Sequence, residues 1–173
     1  LDKFLETGKE TYLEYMDFFK KVEESDGRNS LEYFNLIKNI YTLNKKYKRN
    51  IRIHCIDISK FNNKVNAQTQ REESLAENIL KILSKKVTFV IMGNVHASKS
   101  IFKLEDLSFK TAGSILFDKI GKDLISVNIL PKTGKFFNIF VKEVVEYENL
   151  KELGNKIYDY TYLIEKISPC SFK

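Results

Sequence analysis

The stretch Val87–Ser100, VTFVIMGNVHASKS, constrains the fold of this chain more than any other part of it. The uncharged run Val87–Met92 stops at Gly93, and Asn94, His96, Ser98 and Lys99 follow within six residues. A run that is apolar at successive positions has no solvent face, which marks a buried parallel strand covered on both sides. In open α/β sheets, ligands gather beyond the carboxyl ends of such strands. Gly-Asn-x-His at that point predicts an amide, an imidazole and a nearby ammonium at the favoured sheet edge. The segment points to a functional site without naming its reaction.

The flanking pattern completes an α/β reading. Thr11–Glu24 places Tyr12, Met16, Phe19 and Val22 at helical spacing and ends in the turn signal Ser25-Asp26-Gly27. A second helix starts at Asn29 or Ser30, with Asn29 and Glu32 in capping-box spacing and an apolar face of Tyr33, Ile37, Ile40 and Tyr41. The two form a helical hairpin across residues 1–50. Ile51–Ile58 reads as a strand, Arg71–Ser84 as a helix with Leu75, Ile79 and Ile82 on one face, and Thr111–Ile120 as a short helix stopped by Gly121. Lys103–Asp106 reads as charged loop, and Pro131-Lys132-Thr133-Gly134 as the turn of an antiparallel hairpin joining Leu124–Leu130 to Phe136–Val141. Tyr147–Ile157 is ambiguous and Tyr158–Ile164 reads as a last edge strand. Strands alternating with helices predict a mostly parallel sheet flanked by helices, with the sheet portion in residues 51–173. The opening helices read as an excursion from a single α/β domain whose first strand–helix units lie upstream, so a missing N-terminal segment of the same domain is an expected partner.

Bulk composition narrows the class. The 173 residues fit one domain, and 43% hydrophobic with 30% charged residues is a globular balance. No apolar run approaches the length of a membrane span. No signal-peptide pattern opens the sequence, and the compartment stays open. The formal charge of +6 reflects heavy lysine use. The densest cluster, Lys45-Lys46-Tyr47-Lys48-Arg49, falls at a predicted helix end, where cations are favoured by the helix dipole alone. A nucleic-acid partner is therefore not expected; a small-molecule ligand or substrate is. Cys55, inside an apolar run, reads as a small buried residue, and its distance from Cys170 gives no metal-binding spacing.

Three constellations can carry chemistry. Gly93 to Ser100 approaches a phosphate-binding loop, but Ser98 stands where the second glycine must let backbone wrap a phosphate. A nucleophile site lacks any G-x-S-x-G elbow, and His54 beside Cys55 on a strand would face the opposite way. The third constellation assembles Asp57 at one strand end, Gly93, Asn94 and His96 at another, Lys99 after it, and Arg71 at the start of the intervening helix. There His96 is the candidate general base or metal ligand and Arg71 the candidate stabiliser of an anion. Asp57, Asn94, Lys99 and Gly93 are candidate substrate contacts. Each also has a plainer role: a turn cap for Asp57, a surface ion pair with a neighbour such as Glu72 for Arg71, an αL turn for Asn94.

RIHCIDI, REESLAENI, VTFVIMGNVHASK and TAGSILFDKIG occur in an order that resembles the erythromycin esterase-like and haem-uptake ChaN-like proteins of the Tiki/TraB superfamily, specifically their C-terminal portion. The matching positions are Asp57, Arg71, Ala76, Asn78, Gly93, Asn94, His96 and Gly113; Cys55 and Leu75 depart from the pattern. The family's Gly-Glu-x-His strand has no counterpart here. The resemblance implies a hydrolase in which a histidine, or a metal it holds, activates water while Arg71 stabilises the anion formed. It also implies a non-enzymatic alternative that binds haem or another anionic ligand. A toxin or effector domain is a third possibility. Haem and a divalent metal are the cofactors these readings bring in.

Overall fold

The computed structural model describes residues 1–16, 30–57, 66–84, 86–138, 143–148 and 157–169. Helices α1 (Asp2–Thr7), α2 (Thr11–Glu14), α3 (Leu31–Tyr47), α4 (Ala67–Ile82), α5 (Asn94–Ala97) and α6 (Ala112–Ile120) combine with strands β1 (Ile101–Leu104), β2 (Leu107–Lys110), β3 (Val127–Asn138), β4 (Glu143–Glu148) and β5 (Tyr160–Ile167). The fold is mixed α/β. By contact it divides into two compact units: Leu1–Ile53 with Pro131–Glu148 and Glu165–Lys173, and His54–Leu130 with Asn149–Ile164. No described helix is long and apolar enough to cross a membrane.

In the first unit, α1, which the helical spacing did not predict, ends at Gly8 in the left-handed conformation, φ 74°. That glycine is needed twice over, since the Tyr41 ring lies where its Cβ would stand. Phe4, Leu13 and Phe34 form the buried core, with Leu1, Leu5, Met16, Ile37 and Tyr41 packed around it. Ser30 caps α3 by accepting from the Tyr33 N–H at 3.4 Å, so the cap falls on the serine of the two predicted candidates; Asn29 lies outside the described residues. The helix ends at Tyr47 with basic residues in its last turn, where its dipole favours them. The Asn44 side chain then exchanges two hydrogen bonds with the Ile51 backbone, at 2.8 and 2.9 Å. Residues 17–29, most of the predicted first helix and the turn after it, lie outside the described residues.

In the second unit the apolar stripe of α4 (Leu75, Ala76, Ile79) buries against Ala112 and Leu116 of α6. Ile56 and Met92 pack on the same cluster. Ile56 comes from the strand predicted over Ile51–Ile58, described up to residue 57, and Met92 from the predicted central strand Val87–Met92. Neither segment is paired in a sheet among the described residues. β-branched residues favour extended backbone, but a strand exists only when a second extended segment meets its N–H and C=O groups. A mostly parallel sheet is accordingly not what the described residues form. The parallel pairing present is that of β3 with β5: Ser126 meets Asp159 and Tyr160, and Thr133 meets Glu165, so residue numbers rise together.

Two turns also move. The segment read as charged loop is the β1–β2 hairpin, in register from Ile101 opposite Lys110 to Leu104 opposite Leu107. Stacked Phe102 and Phe109, 5.0 Å apart, supply the cross-strand contact. Its turn uses Glu105 at φ 49°, a left-handed site without the glycine or asparagine that would announce it. Conversely, Pro131 to Gly134 are not a turn but part of β3. The two predicted arms therefore share one strand, and the antiparallel hairpin present is that of β3 with β4, paired from Thr133 opposite Glu148 to Asn138 opposite Glu143. Pro131 is tolerated because this pairing begins only at Thr133. The expected edge strand near the C-terminus is β5. Cys55, expected to be buried, is exposed, since its segment lies open on that side; Cys170 lies outside the described residues.

Gly113, in the first turn of α6, sets how closely that helix meets the end of α5. A Cβ there would sit 2.6 Å from the Ala97 carbonyl oxygen and also against that of Ser98. Both obstacles are backbone and cannot swing aside. Gly113→Ala is expected to lower stability by about 2 kcal/mol or more, read by urea denaturation.

Candidate functional site

Four of the α4 positions facing inward are Glu72, Leu75, Ala76 and Ile79. They follow i, i+3, i+4, i+7 spacing, so Glu72 is a carboxylate at the head of an apolar stripe. It is fully buried. One oxygen, Oε1, faces His96 Nδ1 at 2.6 Å and also accepts from the Gln68 side-chain amide. The other, Oε2, accepts from the Ala112 N–H at 2.8 Å. Ala112 opens α6, so the carboxylate sits at the positive end of that helix dipole.

Burial by itself raises the pKa of Glu72. The hydrogen bonds from His96, Ala112 and Gln68, together with the attraction of the imidazole, outweigh it and hold the carboxyl below its ordinary value of 4.5. An ionised carboxylate only accepts hydrogen bonds, so the proton between Glu72 and His96 belongs to Nδ1. The Nε2 atom is the ring nitrogen left for other work. Helix α5, which carries His96, forms because Gly93 enters in extended conformation and the Ala97 N–H bonds back to the Gly93 carbonyl at 3.1 Å.

The structure groups the sequence-derived candidates into separate pairs. Arg71 and Asp57 meet as a forked ion pair, Nε to Oδ1 at 3.1 Å and Nη2 to Oδ2 at 2.5 Å, with both side chains partly exposed. Arg71 lies in the second turn of α4, not at its start, because the helix begins at Ala67. Asn94 uses its side chain on the Val95 N–H at 2.9 Å and offers its carbonyl to the Tyr158 hydroxyl at 2.8 Å. The Lys99 ammonium meets Asp159 at 2.5 Å and the Leu124 carbonyl at 2.8 Å, above the Phe117 ring. The hydrogen bond from Lys99, aided by the Ser126 N–H, holds the Asp159 carboxyl below its ordinary range, while burial pushes the Tyr158 hydroxyl up. Gly93 lies beside the His96 ring.

The residue that sequence reasoning missed as a site member is Glu72. Its signal was available: extending the apolar face of Leu75 and Ile79 back by three residues lands on a glutamate. Among the described residues, no group of three or more His, Cys, Asp or Glu side chains could hold a metal ion. His96 Nδ1 and Glu72 Oε1 are bound to each other, and the Tyr158 hydroxyl donates to a backbone carbonyl. No family model, curated protein or solved structure matches this chain.

Because Glu72 titrates lower in the folded protein than its ordinary value, its contribution is complete above about pH 4.5 and is lost as pH falls through the folded pKa. Glu72→Gln is expected to cost about 1.5–3 kcal/mol at pH 7. That gap should narrow as the solution is acidified below pH 4.5. Denaturation curves at a series of pH values read both effects; a constant gap would mean the charge of Glu72 is irrelevant to folding.

Proposed function

We propose that this chain carries a hydrolase-type site in which His96 is the general base and Glu72 orients it. The observation that supports this reading is the 2.6 Å contact between His96 Nδ1 and a fully buried, ionised Glu72. A buried carboxylate selects one tautomer, restrains the ring and stabilises the imidazolium formed when Nε2 takes a proton from water. Arg71 spends two N–H groups on Asp57, and its remaining donors are the proposed anchor for an anionic substrate group or developing oxyanion. Asp57 then serves to orient Arg71. No metal or haem enters the step.

The resemblance to the erythromycin esterase-like and ChaN-like superfamily stands as part of this proposal, as does a further N-terminal segment of the same domain. Val87, Phe89 and Ile91 are strongly exposed, which supports completion of this side of residues 87–92 by additional strand–helix units. Large exposed apolar groups in a row mark surfaces that another layer covers.

Hydrolysis of an activated ester such as 4-nitrophenyl acetate tests the reading. His96→Ala is expected to lower kcat/KM by about 10²–10⁴-fold, with Glu72→Gln lowering it less, provided circular dichroism shows both variants folded. Unchanged turnover in folded His96→Ala sinks the assignment. A haem titration giving a Soret band that His96→Ala abolishes would instead favour the ligand-binding alternative.

A further inference from the structure

We propose that Asn128 holds an internal water molecule on the inner face of β3. Asn128 is 1% exposed, and neither its Nδ2 nor its Oδ1 has a hydrogen-bond partner among the described residues. The direction of the side chain follows from strand alternation. Ser126 and Leu130 are buried, whereas Val127 and Ile129 are exposed, and residues two apart share a face. Asn128 therefore points the same way as Ser126, whose hydroxyl donates to the Ala97 carbonyl at 2.5 Å. The amide lies about 7 Å farther along the strand.

The chemistry of the amide selects its guest. Asparagine presents two N–H donors and a carbonyl acceptor together. An anion satisfies the donors but faces the carbonyl, and a cation does the reverse. A neutral group that both gives and accepts hydrogen bonds suits both ends, and water is the smallest such group. Buried polar side chains are paired with protein or ordered water in the great majority of cases. An apolar residue of similar volume would fill a dry position better, so asparagine here implies a polar occupant. The proposal does not depend on the hydrolase reading.

Magnetic resonance on the isotopically labelled, unsubstituted protein tests it. The Asn128 side-chain amide is expected to show cross-relaxation to the water resonance, with NOE and ROE of opposite sign, as for water held longer than about a nanosecond. Asn128→Leu assigns the amide signals by their loss and is expected to lower Tm by about 5 °C, because the water loses its anchor. Absence of the cross-peak, or a higher Tm for Asn128→Leu, overturns the proposal. If the leucine variant fails to fold, the amide signals are assigned by through-bond experiments on the parent protein and the cross-peak alone decides.

Discussion

A carboxylate with no access to water organises the second unit of this protein. Glu72 joins three elements through one group: its own helix through Gln68, the α5 turn through His96, and the first N–H of α6 through Ala112. Removing an ionised group from water is costly, and only several well-placed donors offset that cost. Because those donors come from three parts of the chain, the carboxylate also dictates where they must stand. The close approach at Gly113 and the packing of Leu75 and Ile79 with Leu116 lie beside these contacts, and the tautomer of His96 follows from the charge it meets.

The His96 turn is held from its other side as well. Lys99 donates its N–H to the Ile157 carbonyl and its ammonium to Asp159, while the Tyr158 hydroxyl reaches the Asn94 carbonyl. Thr111 accepts from the Ser114 N–H and shares its proton between the carbonyls of Ser98 and Ser100. A four-residue helix has almost no stability of its own, since nucleation is unfavourable and few bonds follow. Contacts on both flanks supply what the helix lacks and keep the imidazole in one place. The Asp57–Arg71 pair differs in kind. Solvent reaches both partners, which limits its worth to roughly 1 kcal/mol.

Legibility in the sequence varied with how local the cause was. Helix α6 was predicted nearly to the residue because Thr111 and Gly121 cap it by chemistry confined to a few positions. Helix α4 was recognised, but its start was missed because Asn66 makes no side-chain cap. The β1–β2 hairpin was not seen, since its turn residue Glu105 is not one that favours positive φ. Pro131 and Gly134 misled in the opposite direction: they carry turn chemistry but sit in a strand whose β4 pairing starts beyond the proline. His96 and Arg71 stood out as polar residues near apolar runs. Glu72, beside Arg71 in the chain, did not, because its importance arises from a partner twenty-four residues away.

The amino-acid order alone settled that α3, α4 and α6 are helical, where the apolar faces of those helices lie, and that Gly-Asn-x-His follows an uncharged run. These depend on backbone preference and spacing, which act over a turn or two. The tertiary structure decided which extended segments pair into sheets, which carboxylate meets the imidazole, and that Lys99 pairs with Asp159. Such choices rest on hydrogen bonds and desolvation between groups far apart in the chain. No local pattern encodes them, because each partner's value depends on where the other is placed.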